Sequence, residues 1–197
     1  MHKTESCILR HKNEDRFLTW LVETLGPVII GSKPAELISL SYQDPALAEK
    51  LKKIDSCIGK CNKICYEVFT YKKSSIKVLF YNPVTFNEQL MDHRNRRFLA
   101  SLGYAEHYSL KEYLMDLIDK IENGCIPSEI GVFLGYPLKD IMGFIGHPSL
   151  KLTKVNGWRV YGDPKISDIR FKEFSEAKSK MKNLLTQFSI ENVLYSF

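Results

Sequence analysis

The stretch from Cys125 to Ile145 constrains the fold more than any other part of this 197-residue chain. A short apolar run, 130–134, meets the turn-forming residues Gly135-Tyr136-Pro137, and apolar residues at helical spacing follow. Short apolar runs bounded by turn residues are typical of buried strands, and proline is favoured at the first position of a helix. We therefore predict a strand that leads directly into a helix, with Glu129 just before the strand.

Helical and hairpin patterns divide the rest of the chain. The first helix is predicted to begin after Asn13 as its N-cap and to end at Gly26-Pro27. Asn156-Gly157, between two short apolar segments, is the strongest short signal for a hairpin. The other predicted strands are 36–42 and a pair at 66–71 and 76–81. Further helices are predicted to begin at 44–45, at 82–83 with a break near 92, and at 109–112, and a last long helix contains 174–188. The apolar tail, 189–197, is expected to dock on the rest of the domain.

These patterns predict a single α+β domain, 1–197, in which a mixed sheet with hairpins is covered by amphipathic helices. The chain is 44% hydrophobic and contains no internal repeat or flexible linker. A chain of this length buries a sizeable core without disulfides or metal.

Charge and cysteine content limit the kinds of partner. The net charge of +5 comes from 28 basic and 23 acidic residues, a mild excess that permits contact with nucleic acid or an anionic surface but argues for neither, and nucleic acid is not the expected partner. The first residues lack the apolar segment of a signal peptide, and no apolar run is long enough to span a bilayer. We expect a cytoplasmic protein with no membrane contact, whose five cysteines are thiols or ligands rather than disulfides.

Four segments carry a family resemblance. Residues 127–140 read PSEIGVFLGYPLKD, and the segments 32–37, 78–82 and 157–162 fit in the same order. With these segments the chain resembles a bacterial family catalogued as a domain of unknown function, number 3793, whose members are common in anaerobes. The resemblance implies a cytosolic single-domain protein and supplies no reaction, substrate or cofactor. The family pattern has histidine where this chain has Ser128, so a role built on that imidazole would be absent here.

The turn at Gly135 is the first candidate site. Free backbone N–H groups at a helix start attract anions, and glycine lets a ligand approach the chain. A small anionic or cofactor-like ligand is therefore the expected partner. The alternative is purely structural, with the glycines serving close packing, since neither the dinucleotide-binding pattern nor a P-loop is present. The predicted ligand-binding residues are Glu129, Gly131, Gly135, Tyr136 and Trp158.

Three evenly spaced cysteines form the second candidate, a metal or redox site. In a continuous helix, Cys57 and Cys65 would lie about 12 Å apart along the axis, too far to share one ion. A loop around Gly59 would let the thiols converge. The alternative is core packing, because Cys61 and Cys65 continue an apolar helical stripe and free cysteine behaves as a small buried hydrophobe.

The leading functional hypothesis is a non-catalytic or weakly catalytic module that binds a small ligand at the predicted strand–turn–helix junction. A thiol metal or redox protein and an interaction or regulatory module without ligand are the alternatives. No nucleophile–base pair stands out, so the sequence does not decide whether the protein is an enzyme. It also assigns no cofactor and no oligomeric state.

Overall fold

A computed structural model of the chain describes residues 15–196. Helices predominate, and short strands form two small sheets. The elements in chain order are α1 (Arg16–Ile30), β1 (Ala35–Ser41), α2 (Leu47–Lys53) with a π-helical turn (Ile54–Ile58), β2 (Cys65–Tyr71), β3 (Ser75–Tyr81), α3 (Pro83–Met91), α4 (His93–Ser101), α5 (Leu110–Asn123), α6 (Ile130–Phe133), α7 (Leu138–Phe144), β4 (Leu152–Asn156), β5 (Trp158–Tyr161), α8 (Lys165–Gln187) and α9 (Ile190–Tyr195).

The larger sheet has three antiparallel strands in the order β1-β3-β2. The central strand β3 is buried on both faces, because successive side chains point to opposite sides of a sheet. Val78 and Phe80 join one apolar cluster, whereas Leu79 and Tyr81 join another. Helices therefore cover both faces of this sheet.

The first cluster lies between the sheet and the helices α1, α8 and α9. Gly26 of α1 permits close approach to α8, since an added Cβ would lie 2.6 Å from Met181 Cβ. The tail enters the same cluster through the buried side chains Ile190, Val193 and Leu194. The second cluster is built from α3 to α7 on the opposite face of the sheet.

The α+β class predicted from the sequence is confirmed. In the part of the chain that the structure describes, both sheets are antiparallel throughout, whereas a mixed sheet was expected. The predicted hairpins at 66–81 and 151–161 and the break at Asp92 are confirmed.

The strand predicted at 130–134 is wrong, because this segment forms the short helix α6. The amide of Leu134 donates to the carbonyl of Ile130 at 2.9 Å, a helical hydrogen bond. All of Ile130–Phe133 is buried. A buried helical turn and a buried strand both read as a continuous apolar run, so periodicity does not separate them.

The predicted end of the first helix at Gly26-Pro27 is also wrong, since α1 continues to Ile30. Proline inside a helix normally costs about 3 kcal/mol or more. Here the turn beyond it buries Val28 and Ile29 in the first apolar cluster, which offsets that cost. Asp15 caps the helix by accepting from the amide of Leu18, and the predicted cap Asn13 lies outside the described residues.

Candidate functional site

A cavity of about 450 Å³ lies between α6, α7 and the hairpin strand β5. Apolar side chains form most of its wall, and its volume is in the range of small-molecule sites, which are concave and mostly apolar. We call it the aromatic cavity. The residues that line it are Ile126, Pro127, Ser128, Ile130, Gly131, Tyr136, Asp140, Ile141, Phe144, Trp158 and Arg159.

Two stacked rings form one wall of the aromatic cavity. The ring centroids of Tyr136 and Trp158 lie 4.8 Å apart, with an angle of 22° between the planes. The buried ammonium of Lys33 lies 5.4 Å from the rings of both Tyr136 and Phe174, and it pairs with Glu36 at 2.7 Å. These contacts fix the stacked pair to the segment between α1 and β1.

Asp140 holds the hairpin against α7. Its Oδ2 accepts from Trp158 Nε1 at 2.8 Å and from the hydroxyl of Ser167 at 2.6 Å. Its Oδ1 accepts from the amide of Tyr161 at 2.9 Å and from Lys139 Nζ at 2.6 Å. Burial raises the pKa of Asp140, but the hydrogen bonds from Lys139, Ser167, Tyr161 and Trp158 together outweigh burial and hold the pKa below its usual 3.8. The carboxylate is therefore ionised and fully engaged at neutral pH.

Lys139 and Ser167 complete this buried network. Lys139 Nζ also donates to the carbonyl of Tyr161 at 2.7 Å and to the hydroxyl of Ser167 at 2.8 Å. Ser167 is only 1% exposed, so its hydroxyl faces no solvent-accessible substrate position. Gly143 permits the contact with β5, since an added Cβ would lie 2.3 Å from Tyr161 Cγ. The network holds α7, β5 and α8 together, and its polar groups are engaged with one another rather than free to act as nucleophiles.

Arg159 brings positive charge to the rim of the aromatic cavity. Its guanidinium lies 5.6 Å from the ring centroid of Phe144. No described residue forms an ion pair with it. Because the charge of Asp140 is already balanced by Lys139, the aromatic cavity keeps one uncompensated positive charge.

The predicted ligand-binding residues separate into two groups. Gly131, Tyr136 and Trp158 line the aromatic cavity, whereas Glu129 and Gly135 do not. Glu129 is buried elsewhere, where its Oε1 accepts from Lys120 Nζ at 3.0 Å and from the hydroxyl of Tyr104 at 3.4 Å.

The expectation of free amides at Gly135 and Tyr136 is wrong. Gly135, at φ +81°, ends α6 in a Schellman motif, in which its amide donates to the carbonyl of Val132 at 3.1 Å. The amide of Tyr136 donates to the carbonyl of Gly131 at 2.9 Å. An added Cβ on Gly135 would lie 2.4 Å from Pro34 Cδ, so this spot is also filled by the chain itself. Any ligand recognition here depends on side chains rather than on these amides.

The three cysteines do not form one site. Cys57 lies half-buried in the π-helical turn, Cys61 is buried, and Cys65 is exposed at the start of β2. Within residues 15–196, no group of three or more His, Cys, Asp or Glu side chains is placed to hold a metal ion. Burial raises the pKa of Cys57 to about 11, so this thiol is protonated at neutral pH. Cys57 and Cys61 both line a small cavity of about 190 Å³ beside α9.

Sequence reasoning missed Lys33, Asp140, Arg159 and Ser167. Asp140 did carry a signal, because a carboxylate within a short, mostly apolar helix implies a specific partner. The other three are ordinary polar residues whose contacts with the site come from distant parts of the chain, although Lys33 also pairs with the nearby Glu36. None of the described helices is both long enough and apolar enough to span a membrane.

Comparison with known proteins identifies one family whose sequence model matches the chain. No curated protein and no solved structure matches the chain. The sequence model of one family, described as Protein of unknown function (DUF3793), matches residues 21–194, and these include the helices α6 and α7 and the hairpin that surround the aromatic cavity. The chain therefore belongs to the DUF3793 family.

Proposed function

We propose that this protein binds a small ligand in the aromatic cavity, and that the ligand combines a planar ring with one negative charge. The observation that carries the proposal is the stacked pair of Tyr136 and Trp158 beside the unpaired Arg159. The site differs from the turn expected from sequence, although three of the predicted residues line it.

The shape and lining of the aromatic cavity support a ring-containing ligand. Ile141 and Phe144 add apolar surface to the two stacked rings. Aromatic side chains favour offset-stacked or edge-to-face contact with another ring, which is worth about 0.5–1.5 kcal/mol beyond area burial. A volume of about 450 Å³ accommodates a molecule of one or two rings.

The charge of the aromatic cavity supports an anionic ligand. Arg159 offers a planar fork of N–H donors, which suits a carboxylate or a similar oxyanion. The hydroxyl of Ser128 is a further polar group in the lining. Asp140 does not repel such a ligand strongly, because its charge is neutralised by Lys139 and its oxygens accept four hydrogen bonds.

The state of the nearby polar groups favours binding over catalysis. Lys139, Asp140 and Ser167 are hydrogen-bonded to one another in the interior, so none of them is free to act on a substrate.

A cytoplasmic location belongs to the same proposal, since the four cysteines in the described residues are free thiols, as a reducing compartment would keep them.

A fluorescent probe tests the proposal directly. We expect 1-anilinonaphthalene-8-sulfonate, which has planar rings and one sulfonate, to bind saturably with one site per chain. Arg159→Gln should weaken binding about tenfold, equivalent to about 1.4 kcal/mol, and Ser128→Phe should block it by filling the aromatic cavity. Arg97→Gln, on the exposed face of α4, is the matched control and should bind as the wild type does.

Circular dichroism would establish that each variant keeps its fold. Probe binding that is equal in wild type, Arg159→Gln and Ser128→Phe would contradict the proposal. Native mass spectrometry of protein purified from an anaerobic host would then report the mass of any natural ligand.

A further inference from the structure

A second cavity shares the lining residue Tyr136 with the aromatic cavity. It has a volume of about 380 Å³ and is enclosed by the α3–α4 junction, the start of α7 and the first part of α8. We propose that this cationic cavity binds a small molecule bearing phosphate. The inference goes beyond the proposed function, because it concerns a different cavity and a different recognition chemistry.

The side chains that line the cationic cavity carry an excess of positive charge. Arg94, Lys139 and Arg170 come from three different helices, and Asp92 is the one acidic residue among the lining residues. The ammonium of Lys139 is already held by Asp140 in the interior, so the two arginines are the groups available to an anion. Two arginines in the lining of one cavity suit a doubly charged ligand such as a phosphate ester.

The present partners of both arginines are easily exchanged. Arg94 pairs with Asp92 at 3.1 Å, and its side chain is 74% exposed. Arg170 pairs with Glu173 at 3.1 Å, with both side chains about equally exposed. Exposed ion pairs of this kind are worth at most about 1 kcal/mol. Each guanidinium also retains N–H groups that these pairs do not use, and these are free to bind phosphate oxygens.

Asp92 repels a phosphate in the cationic cavity less than its position suggests. Its carboxylate caps α4 by accepting from the amides of Arg94 and Asn95 at 2.8 and 3.4 Å. Hydrogen bonding from Arg94 holds the pKa of Asp92 below its usual 3.8, so the negative charge stays and is spread over several donors. The remaining lining is apolar at Leu138, Met142 and Ile166, which provides contact for the rest of a phosphorylated molecule.

The size of the cationic cavity selects a small molecule rather than a polymer. Its volume exceeds that of one phosphate ion, and it is bounded by helices instead of extending along a groove. Nucleic-acid surfaces are broad basic faces with many phosphate contacts, whereas this cavity is lined by two arginines beside the engaged Lys139.

Pyrophosphate is a suitable probe, because it carries two phosphate groups and no ring that would bind in the aromatic cavity. Isothermal titration calorimetry at low ionic strength should show one saturable site on the 197-residue protein. The double variant Arg94→Gln/Arg170→Gln should weaken binding at least tenfold. Arg97→Gln/Lys172→Gln removes the same charge from exposed positions outside the cavity and should change affinity less than twofold.

The outcomes separate this inference from the proposed function. Arg159→Gln should leave pyrophosphate binding unchanged even if it abolishes binding of the anilinonaphthalene probe. Absence of saturation in the wild type, or equal losses in the two double variants, would overturn the inference. Loss of pyrophosphate binding in Arg159→Gln would also overturn it, since the anion would then bind in the aromatic cavity.

Discussion

The two β-hairpins of this protein are held in place by different kinds of contact. In the β2–β3 hairpin, the central strand β3 buries Val78, Leu79 and Phe80 completely between two apolar clusters. The β4–β5 hairpin has only two strands, and 152–155 is exposed along its whole length. It is attached instead through β5, where Trp158 and the amide of Tyr161 donate to Asp140.

This difference matters for function because apolar burial is non-directional, whereas hydrogen bonds fix angles. An isolated two-stranded hairpin is marginally stable in water. The polar network around Asp140 therefore determines where the Trp158 ring lies, and with it the shape of the aromatic cavity. The hairpin with the weaker apolar support is the one whose ring position is specified by directional bonds.

The largest expected effect comes from removing the carboxylate at the centre of the network. Asp140→Ala should reduce the free energy of unfolding by about 3–5 kcal/mol, because Lys139 and three other buried donors lose their acceptor. The matched control is Asp168→Ala, which removes an exposed partner of Lys154 and should cost less than about 1 kcal/mol. Urea unfolding of both variants measures the difference in unfolding free energy. Equal losses of stability would show that the network does not support the hairpin.

The same carboxylate should make stability depend on pH. Because the folded-state pKa of Asp140 lies below its usual 3.8, its stabilising contribution is present above about pH 4 and is lost as the pH falls through the folded-state value. The difference in unfolding free energy between wild type and Asp140→Asn should therefore shrink in acid. A constant difference from pH 7 to pH 2.5 would contradict this assignment.

In the β2–β3 hairpin, apolar truncation should be the damaging change. Leu79→Ala should cost about 2–5 kcal/mol, because it leaves a cavity in a fully buried position. Val155→Ala in β4 is the counterpart and should change stability by about 0.5 kcal/mol or less, since Val155 is 69% exposed. Thermal unfolding of the pair tests the comparison, which fails if the two substitutions prove equally costly.

A smaller loss of stability is expected when either of two buried lysines is replaced. Lys33→Met removes the cation beside Tyr136 and Phe174, and Lys77→Met removes a similar cation 4.7 Å from the ring of Tyr71. Each should cost about 1–2 kcal/mol, on the scale of desolvated cation–π contacts.

Trp158 emission reports which lysine supports the cavity wall. In a Trp20→Phe background, Trp158 is the one remaining tryptophan of the two in the chain. Its fluorescence should shift in Lys33→Met and stay unchanged in Lys77→Met. Identical spectra for the two variants would show that Lys33 does not support the wall of the aromatic cavity.

The smallest expected effects lie in the two hairpin turns. Lys73, at φ 52°, adopts a left-handed conformation that costs most residues about 1–2 kcal/mol, so Lys73→Gly should be neutral or slightly stabilising. Gly157→Ala, at φ +72° with its Cβ 2.9 Å from the ring of Phe171, should be destabilising by about 1 kcal/mol. Differential scanning calorimetry should show a lower unfolding temperature for Gly157→Ala and an equal or slightly higher one for Lys73→Gly.

Local signals predicted much of the fold. The break at Asp92 and the cap at Ser109 are visible in sequence because each cap bonds to an amide two or three residues away. The β2–β3 hairpin is predictable for a similar reason, since its strands are separated by a turn of only three residues, 72–74. The family was also recognisable from the segment around Gly135.

The candidate site was less predictable because its contacts are distant in sequence. Asp140 bonds to Tyr161 and Ser167, which lie 21 and 27 residues further along the chain. The helix α6 has only four residues, too few to show a helical period. The sequence marks Gly135 as a turn between a strand and a helix, whereas in the structure it ends the helix α6.

The wide sequence separation of the contacts around Asp140 affects how the protein is completed during synthesis. A nascent chain that has emerged only as far as β5 contains Asp140 and Trp158 but lacks Ser167, the partner supplied by α8. Chains fold as they leave the ribosome from the N-terminal end, so the three-stranded sheet is available before this final partner. The ring-lined wall consequently reaches its finished geometry only after the start of α8 has been made.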